Sequence, residues 1–175
     1  MTRDSRQSPD TPDEETLRLA AEVFNAARDG HAAAFRRWLA GGLPPDLCNH
    51  NGDSLLMLAS YHGHHDTVRV LLAHGADPER YNDRGQNPLG GAAFKGDLAM
   101  VELLLAHGAA VDGTTADGKA PLMFAAMFGN RDVLDCLLAH GADPAAREAG
   151  GLTALDLAVA MGAESTRVRL AALAS

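Results

Sequence analysis

No apolar run in this chain approaches the roughly 18 residues needed to span a bilayer, so a soluble protein with no membrane partner is expected. The first ten residues, Met1-Thr2-Arg3-Asp4-Ser5-Arg6-Gln7-Ser8-Pro9-Asp10, lack the apolar core of a secretory signal, which makes the cytoplasm the expected location. Cysteine is scarce. Cys48 and Cys136 stand far apart, neither has the near neighbour that a C-x-x-C redox or zinc arrangement requires, and both read as free thiols. Basic residues are outnumbered, with 15 Lys and Arg against 23 Asp and Glu for a formal net charge of -8. Phosphate-backbone binding rests on Lys and Arg neutralising a polyanion, so nucleic acid is not an expected partner, and a protein with a neutral or basic surface is easier to accommodate. A Gly-x-Ser-x-Gly elbow, a His-Glu-x-x-His helix and a kinase-like set are missing as well, which argues against an enzyme.

What the sequence does have is a beat. Leu71-Leu72-Ala73-His74-Gly75-Ala76-Asp77-Pro78 returns as Leu104-Leu105-Ala106-His107-Gly108-Ala109 and as Leu137-Leu138-Ala139-His140-Gly141-Ala142-Asp143-Pro144, each time after 33 residues. Gly52, Gly85, Gly118 and Gly151 keep the same spacing, each in a polar turn ahead of an apolar run. A fixed period of this size implies stacked supersecondary units that share a continuous core, not one closed globule.

Gly85-Gln86-Asn87-Pro88-Leu89 and Gly118-Lys119-Ala120-Pro121-Leu122 resemble the G-x-T-P-L opening of an ankyrin repeat, and Leu-Leu-x-x-Gly-Ala-Asp resembles the close of that family's second helix. The resemblance covers residues 15 to 175. It implies an all-α solenoid of about five helix-turn-helix units with short β-turn fingers, the terminal units being atypical caps. A scaffold used for many jobs says little about any single one.

The expected domain organisation follows the beat. Residues 1–13 carry Ser, Pro, Asp and Arg with one Met and no other large apolar side chain, so they read as a disordered tail. Residues 14–48 form an N-terminal capping unit, 49–81, 82–114 and 115–147 are full repeats, and 148–175 are a C-terminal capping repeat. In that last unit Arg167 and Arg169 replace apolar residues, as an outward-facing end requires. Glycine in each polar turn supplies a positive φ, Pro88 and Pro121 suit the first turn of a helix, and Gly63, Gly96 and Gly129 suit left-handed caps after the first helix of each unit.

Local chemistry is sparse. Gly113-Thr114-Thr115-Ala116-Asp117-Gly118-Lys119-Ala120 has the frame of a phosphate loop, but Ala120 lacks the hydroxyl that would hold Mg²⁺, and Gly118 is already explained by the repeat. His62, His64 and His65 invite a metal reading. His62 and His65 are expected to point to different faces, while His74, His107 and His140 recur once per unit, which implies about 8–10 Å between neighbours at helix-packing distance, too far for ligands of one ion. His64 stands where the family resemblance implies a histidine that ties the loop by hydrogen bonds. Asp66, Asp97 and Asp132 lie at the start of second helices, where negative charge suits the helix dipole. No cofactor is expected.

The resemblance implies a non-catalytic protein-binding module whose concave face and turn tips contact the partner. In register, the ends of the first helices are Tyr61-His62, Phe94-Lys95, Met127-Phe128 and Ala160-Met161, a large apolar side chain in every unit. Stacking aligns these residues either as packing between neighbouring helices or as an exposed interface strip. The tips Asn49, Asn51, Asp53, Asp83, Arg84, Gln86, Asp117 and Lys119 would set specificity. Gly90 and Gly91 take the places of Met57-Leu58 and Met123-Phe124, leaving a bare backbone that either admits a partner's side chain or relieves crowding. A monomer is expected. The alternative role is that of an immunity-like or stress-associated inhibitor or protector of an enzyme partner.

Overall fold

A computed structural model describes residues 13–173. The tail expected over residues 1–13 lies, apart from Asp13, outside the described residues. Among the described residues ten helices follow one another: α1 (Glu14–Asp29), α2 (Ala32–Ala40), α3 (Leu55–Tyr61), α4 (His65–Ala73), α5 (Pro88–Lys95), α6 (Leu98–Ala106), α7 (Pro121–Met127), α8 (Arg131–Ala139), α9 (Ala154–Met161) and α10 (Glu164–Ala171). Among the described residues there is no strand, only an isolated antiparallel bridge between Cys48 and Ser54.

Each odd-numbered helix starts on a side-chain cap where its sequence provides one. Asp13 accepts from the N–H of Thr16 (2.7 Å), Ser54 from Met57 (3.1 Å), Asn87 from Gly90 (2.9 Å), and Thr153 forms a reciprocal capping box with Asp156. Ala120 fills the equivalent position ahead of α7 and has no acceptor to offer. Pro88 and Pro121 occupy first-turn positions, and Gly96 ends α5 in the left-handed conformation at φ 71°.

The odd helices α1, α3, α5, α7 and α9 pack each on the next, and the even helices do the same in a second row. One apolar core runs between the rows from Val23 to Leu170. Phe35, Leu55, Leu56, Leu71, Leu89, Leu104, Leu122, Leu134 and Leu137 are fully enclosed, each burial stabilising by about 1.5–3 kcal/mol. Small side chains at Ala59, Ala92, Ala93, Ala125, Ala126 and Ala158 let the odd row close up.

Polar ties join successive units as well. The His64 ring Nε2 bonds the carbonyl of Arg28 (2.6 Å), and at the same repeat position two units on, Asn130 Nδ2 donates to the carbonyl of Ala93 (2.9 Å). In the fingers, the N–H of Asp83 donates to Asn51 O, that of Ala116 to Gly85 O, and that of Ala149 to Asp117 O, at 3.0–3.1 Å. The C-terminal unit is fastened by charge. Asp135 of α8 receives Arg131 Nε and Arg169 Nε at 2.6 Å each, so Arg169 is turned to an ion pair where Val70, Leu103 and Cys136 stand in the other units.

Candidate functional site

The ends of the odd helices bring large side chains into a row. Tyr61, Phe94, Phe128 and Met161 are 45%, 39%, 45% and 52% exposed, whereas Met127 is half-buried against the core. Of the two arrangements open from the sequence, solvent-facing side chains describe Tyr61, Phe94, Phe128 and Met161, and packing describes Met127. Val159 is also exposed, although Ser60, Ala93 and Ala126 at its repeat position are buried. No later unit covers it among the described residues. That exposure follows from the repeat count and is readable from the sequence only when the last unit is treated as uncovered.

Contacts along the row run diagonally. Phe94 and Phe128 meet edge to face with ring centroids 4.6 Å apart, and the Lys95 ammonium lies 4.9 Å from the Tyr61 ring centroid. Both pairs are 34 residues apart, one more than the repeat. Each contact therefore steps one residue further along the next helix instead of joining equivalent repeat positions. His62 stacks edge-on against Tyr61 at 5.7 Å and lies parallel to His64 at 6.3 Å.

The turn tips divide into two sets. Asn49 Oδ1 accepts from the N–H groups of Asn51 and Asp53, and its amide donates to Asp53 Oδ2. Asn82 repeats the arrangement with Arg84 and Gln86, and adds a bond from Nδ2 to Asp53 Oδ1 at 2.8 Å. Asp53 is consequently buried, at 8% exposure, and together with Asn49 holds the turns in shape. Asn51, Asp83, Arg84 and Gln86 present exposed side chains. In the next turn Asp117 takes a hydrogen bond from Thr115 and an ion pair from Lys119; bonding to these two groups, the Lys119 ammonium first, holds its carboxyl below the usual aspartate range.

Between the row and the tips lies a cavity of about 260 Å³. Met57, Ser60 and Tyr61 form one wall, Gln86, Asn87 and Pro88 the finger side, Gly90, Gly91 and Phe94 the floor, and Thr115 and Phe124 the far side. A methyl built on Gly91 would find its nearest atom, Tyr61 Cδ2, at 3.8 Å, an ordinary contact. One built on Gly90 would come to 2.9 Å from the capping oxygen of Asn87 and 3.6 Å from Phe124. The glycine pair marks this cavity in the sequence; the contributions of Asn87, Thr115 and Phe124 come from neighbouring turns and helices and carried no signal of their own.

Elsewhere the titratable groups are held by the scaffold. The Nδ1 atoms of His74, His107 and His140 bond the carbonyls four residues back, at 2.8–2.9 Å. His65 Nε2 lies 2.9 Å from Asp97 Oδ1, the same oxygen that caps α6 by accepting from Met100. Asp66 and Asp132 sit in first turns instead, so these three aspartates occupy two different repeat positions. Cys136 is half-buried, and burial, with the Glu102 carboxylate nearby, pushes the pKa of its thiol up. Among the described residues no three His, Cys, Asp or Glu side chains converge as a metal site, and no helix is long and apolar enough to cross a membrane.

Comparison with known proteins agrees with the repeat geometry. A family model described as ankyrin repeats (3 copies) matches residues 23–115 and again 91–171. An ankyrin repeat protein of Pseudomonas aeruginosa is 59% identical over 50 residues, which span 29% of this chain and 29% of that relative's length. With most of its length matched and every described unit built as a helical pair joined through a positive-φ glycine, the chain belongs to the ankyrin repeat family.

Proposed function

We propose that this chain is a non-catalytic module that binds one protein partner along the odd-helix row and the adjoining turn tips. Ankyrin repeats are generally protein–protein interaction modules and typically non-catalytic. The observation that carries the reading here is the row of exposed Tyr61, Phe94, Phe128 and Met161 on rigid helix ends. Large apolar side chains left open to water in a line, rimmed by polar tips, are the composition of an interface centre. Asn51, Asp83, Arg84, Gln86, Asp117 and Lys119 supply the polar rim, and His62 and Lys95 the polar edge of the row. The net charge of -8 favours approach of a partner with a neutral or basic surface. In this reading the chain works as a cytoplasmic monomer.

The test is affinity capture with wild-type protein and with a variant carrying Tyr61→Ser, Phe94→Ala and Phe128→Ala, its fold checked by circular dichroism. Loss of the captured protein is the expected result. Undiminished capture by the folded variant removes the row from the interface. Assaying the captured protein's own activity, free and bound, separates an adaptor from an inhibitor or protector.

A further inference from the structure

We infer that the cavity over Gly90 and Gly91 receives a single bulky apolar side chain from a partner segment that also carries a carboxylate close by. The inference rests on the binding-face reading above and specifies the chemistry of what docks there.

Space comes first. Leu58 and Phe124 occupy the position of Gly91 in the flanking units. Gly91 is helical, with no positive φ that would demand glycine, and a methyl added to it meets no crowding. Neither backbone conformation nor a close neighbour accounts for the missing side chain. The resulting volume of about 260 Å³ falls below the roughly 300–1,000 Å³ of small-molecule and cofactor pockets, which suits one anchoring side chain.

Charge then restricts the occupant. No charged residue lines the cavity: Met57, Pro88, Phe94 and Phe124 supply apolar surface, and Gln86 and Thr115 supply neutral polar edges. A Lys, Arg, Asp or Glu head group placed inside would lose water without gaining a counter-charge. Tyr61, one wall of the cavity, carries the Lys95 ammonium against its ring, while Asp97, the carboxylate that lines a neighbouring depression with both, is bonded to His65 and to the N–H of Met100. An anchor seated beside Tyr61 brings its neighbouring residues past the Lys95 ammonium, and a carboxylate there forms an ion pair with it. The overall negative charge acts at longer range and on approach; Lys95 acts at contact.

The experiment is selection of a random dodecapeptide display library on the immobilised full chain, followed by affinity measurements on synthetic copies of enriched peptides. Enriched sequences are expected to share one Leu, Met, Phe or Trp with Asp or Glu within about two positions. Gly91→Leu, which restores the side chain of the preceding unit, should weaken them about tenfold or more; Gly91→Ala should weaken them less, and Lys95→Gln about threefold. Phe128→Ser alters the row without lining the cavity. Peptides weakened by Phe128→Ser but indifferent to both Gly91 variants overturn the anchor and leave the binding face standing. Peptides indifferent to all of these variants overturn both readings. A selection that enriches nothing, or enriches sequences without the apolar residue, overturns the anchor.

Discussion

Phe94 and Phe128 stand edge to face at 4.6 Å between centroids, with ring planes 75° apart, while each keeps about two-fifths of its surface in water. The pair joins α5 to α7 across one unit boundary and belongs to the face proposed for the partner. Such aromatic pairs contribute about 0.5–1.5 kcal/mol beyond area burial. A double-mutant cycle with Phe94→Ala and Phe128→Ala, followed by urea unfolding, should give a coupling energy at the lower end of that range because the rings are exposed. Coupling indistinguishable from zero would make the contact energetically idle.

One substitution should have opposite effects at two glycines five residues apart. Gly91 is a helical residue with room for a methyl, so Gly91→Ala should raise stability by up to about 0.8–1.0 kcal/mol from helix propensity. Gly96 has φ 71°, and a methyl there would come within 2.7 Å of the Asn130 side chain. Gly96→Ala should therefore cost at least the roughly 1–2 kcal/mol of a left-handed L-residue, plus the strain on the tie from Asn130 to Ala93. Urea midpoints that move in the same direction for both variants would contradict this account.

The uncapped start of α7 offers a gain. Ser54 and Asn87, at the repeat positions equivalent to Ala120, are buried and cap their helices with side-chain oxygens. Ala120→Ser should add about 0.5–2 kcal/mol by the same bond. The substitution also completes the phosphate-loop letters Gly113 to position 120. ATP added to the variant should leave its melting temperature unchanged, because the loop leads from a turn and not from a parallel strand.

Acid should loosen the C-terminal unit first. Burial disfavours the charged form of Asp135, but hydrogen bonds from Arg169 and Arg131 outweigh it and hold the carboxyl below the usual aspartate range. Its stabilising contribution is therefore complete above the unfolded pKa of about 3.9 and falls away as pH drops through the lower folded value. The stability gap between wild type and Asp135→Asn, measured by urea unfolding, should shrink between about pH 5 and pH 3. A gap that is constant over that interval would mean the ion pairs to Asp135 do not contribute.

Much of the architecture is legible in the sequence because it is set by spacing. The recurring Leu-Leu-Ala-His-Gly-Ala run marks the end of each even helix from α4 to α8, and glycines 33 apart mark the turns. Burial is less legible, since it depends on what a neighbouring unit places opposite. Asp53 reads as an exposed tip until Asn82, 29 residues on, is seen to close over it. Met127 and Phe128 are adjacent in sequence, yet one turns to the core and the other to solvent. Phe94 pairs with Phe128 and not with its repeat equivalent Met127, an offset of one residue between stacked helices that a table of equivalent positions does not contain.

The finger bonds from Asp83 to Asn51, Ala116 to Gly85 and Ala149 to Asp117 give each of these joints the same single backbone clasp. Tension applied along the stack would meet three such joints in series, each held by its clasp together with its share of the apolar core, and the weakest would release first. Extension would then proceed in discrete steps of one helical pair, the chain paying out slack at one joint while the remaining joints keep their grip.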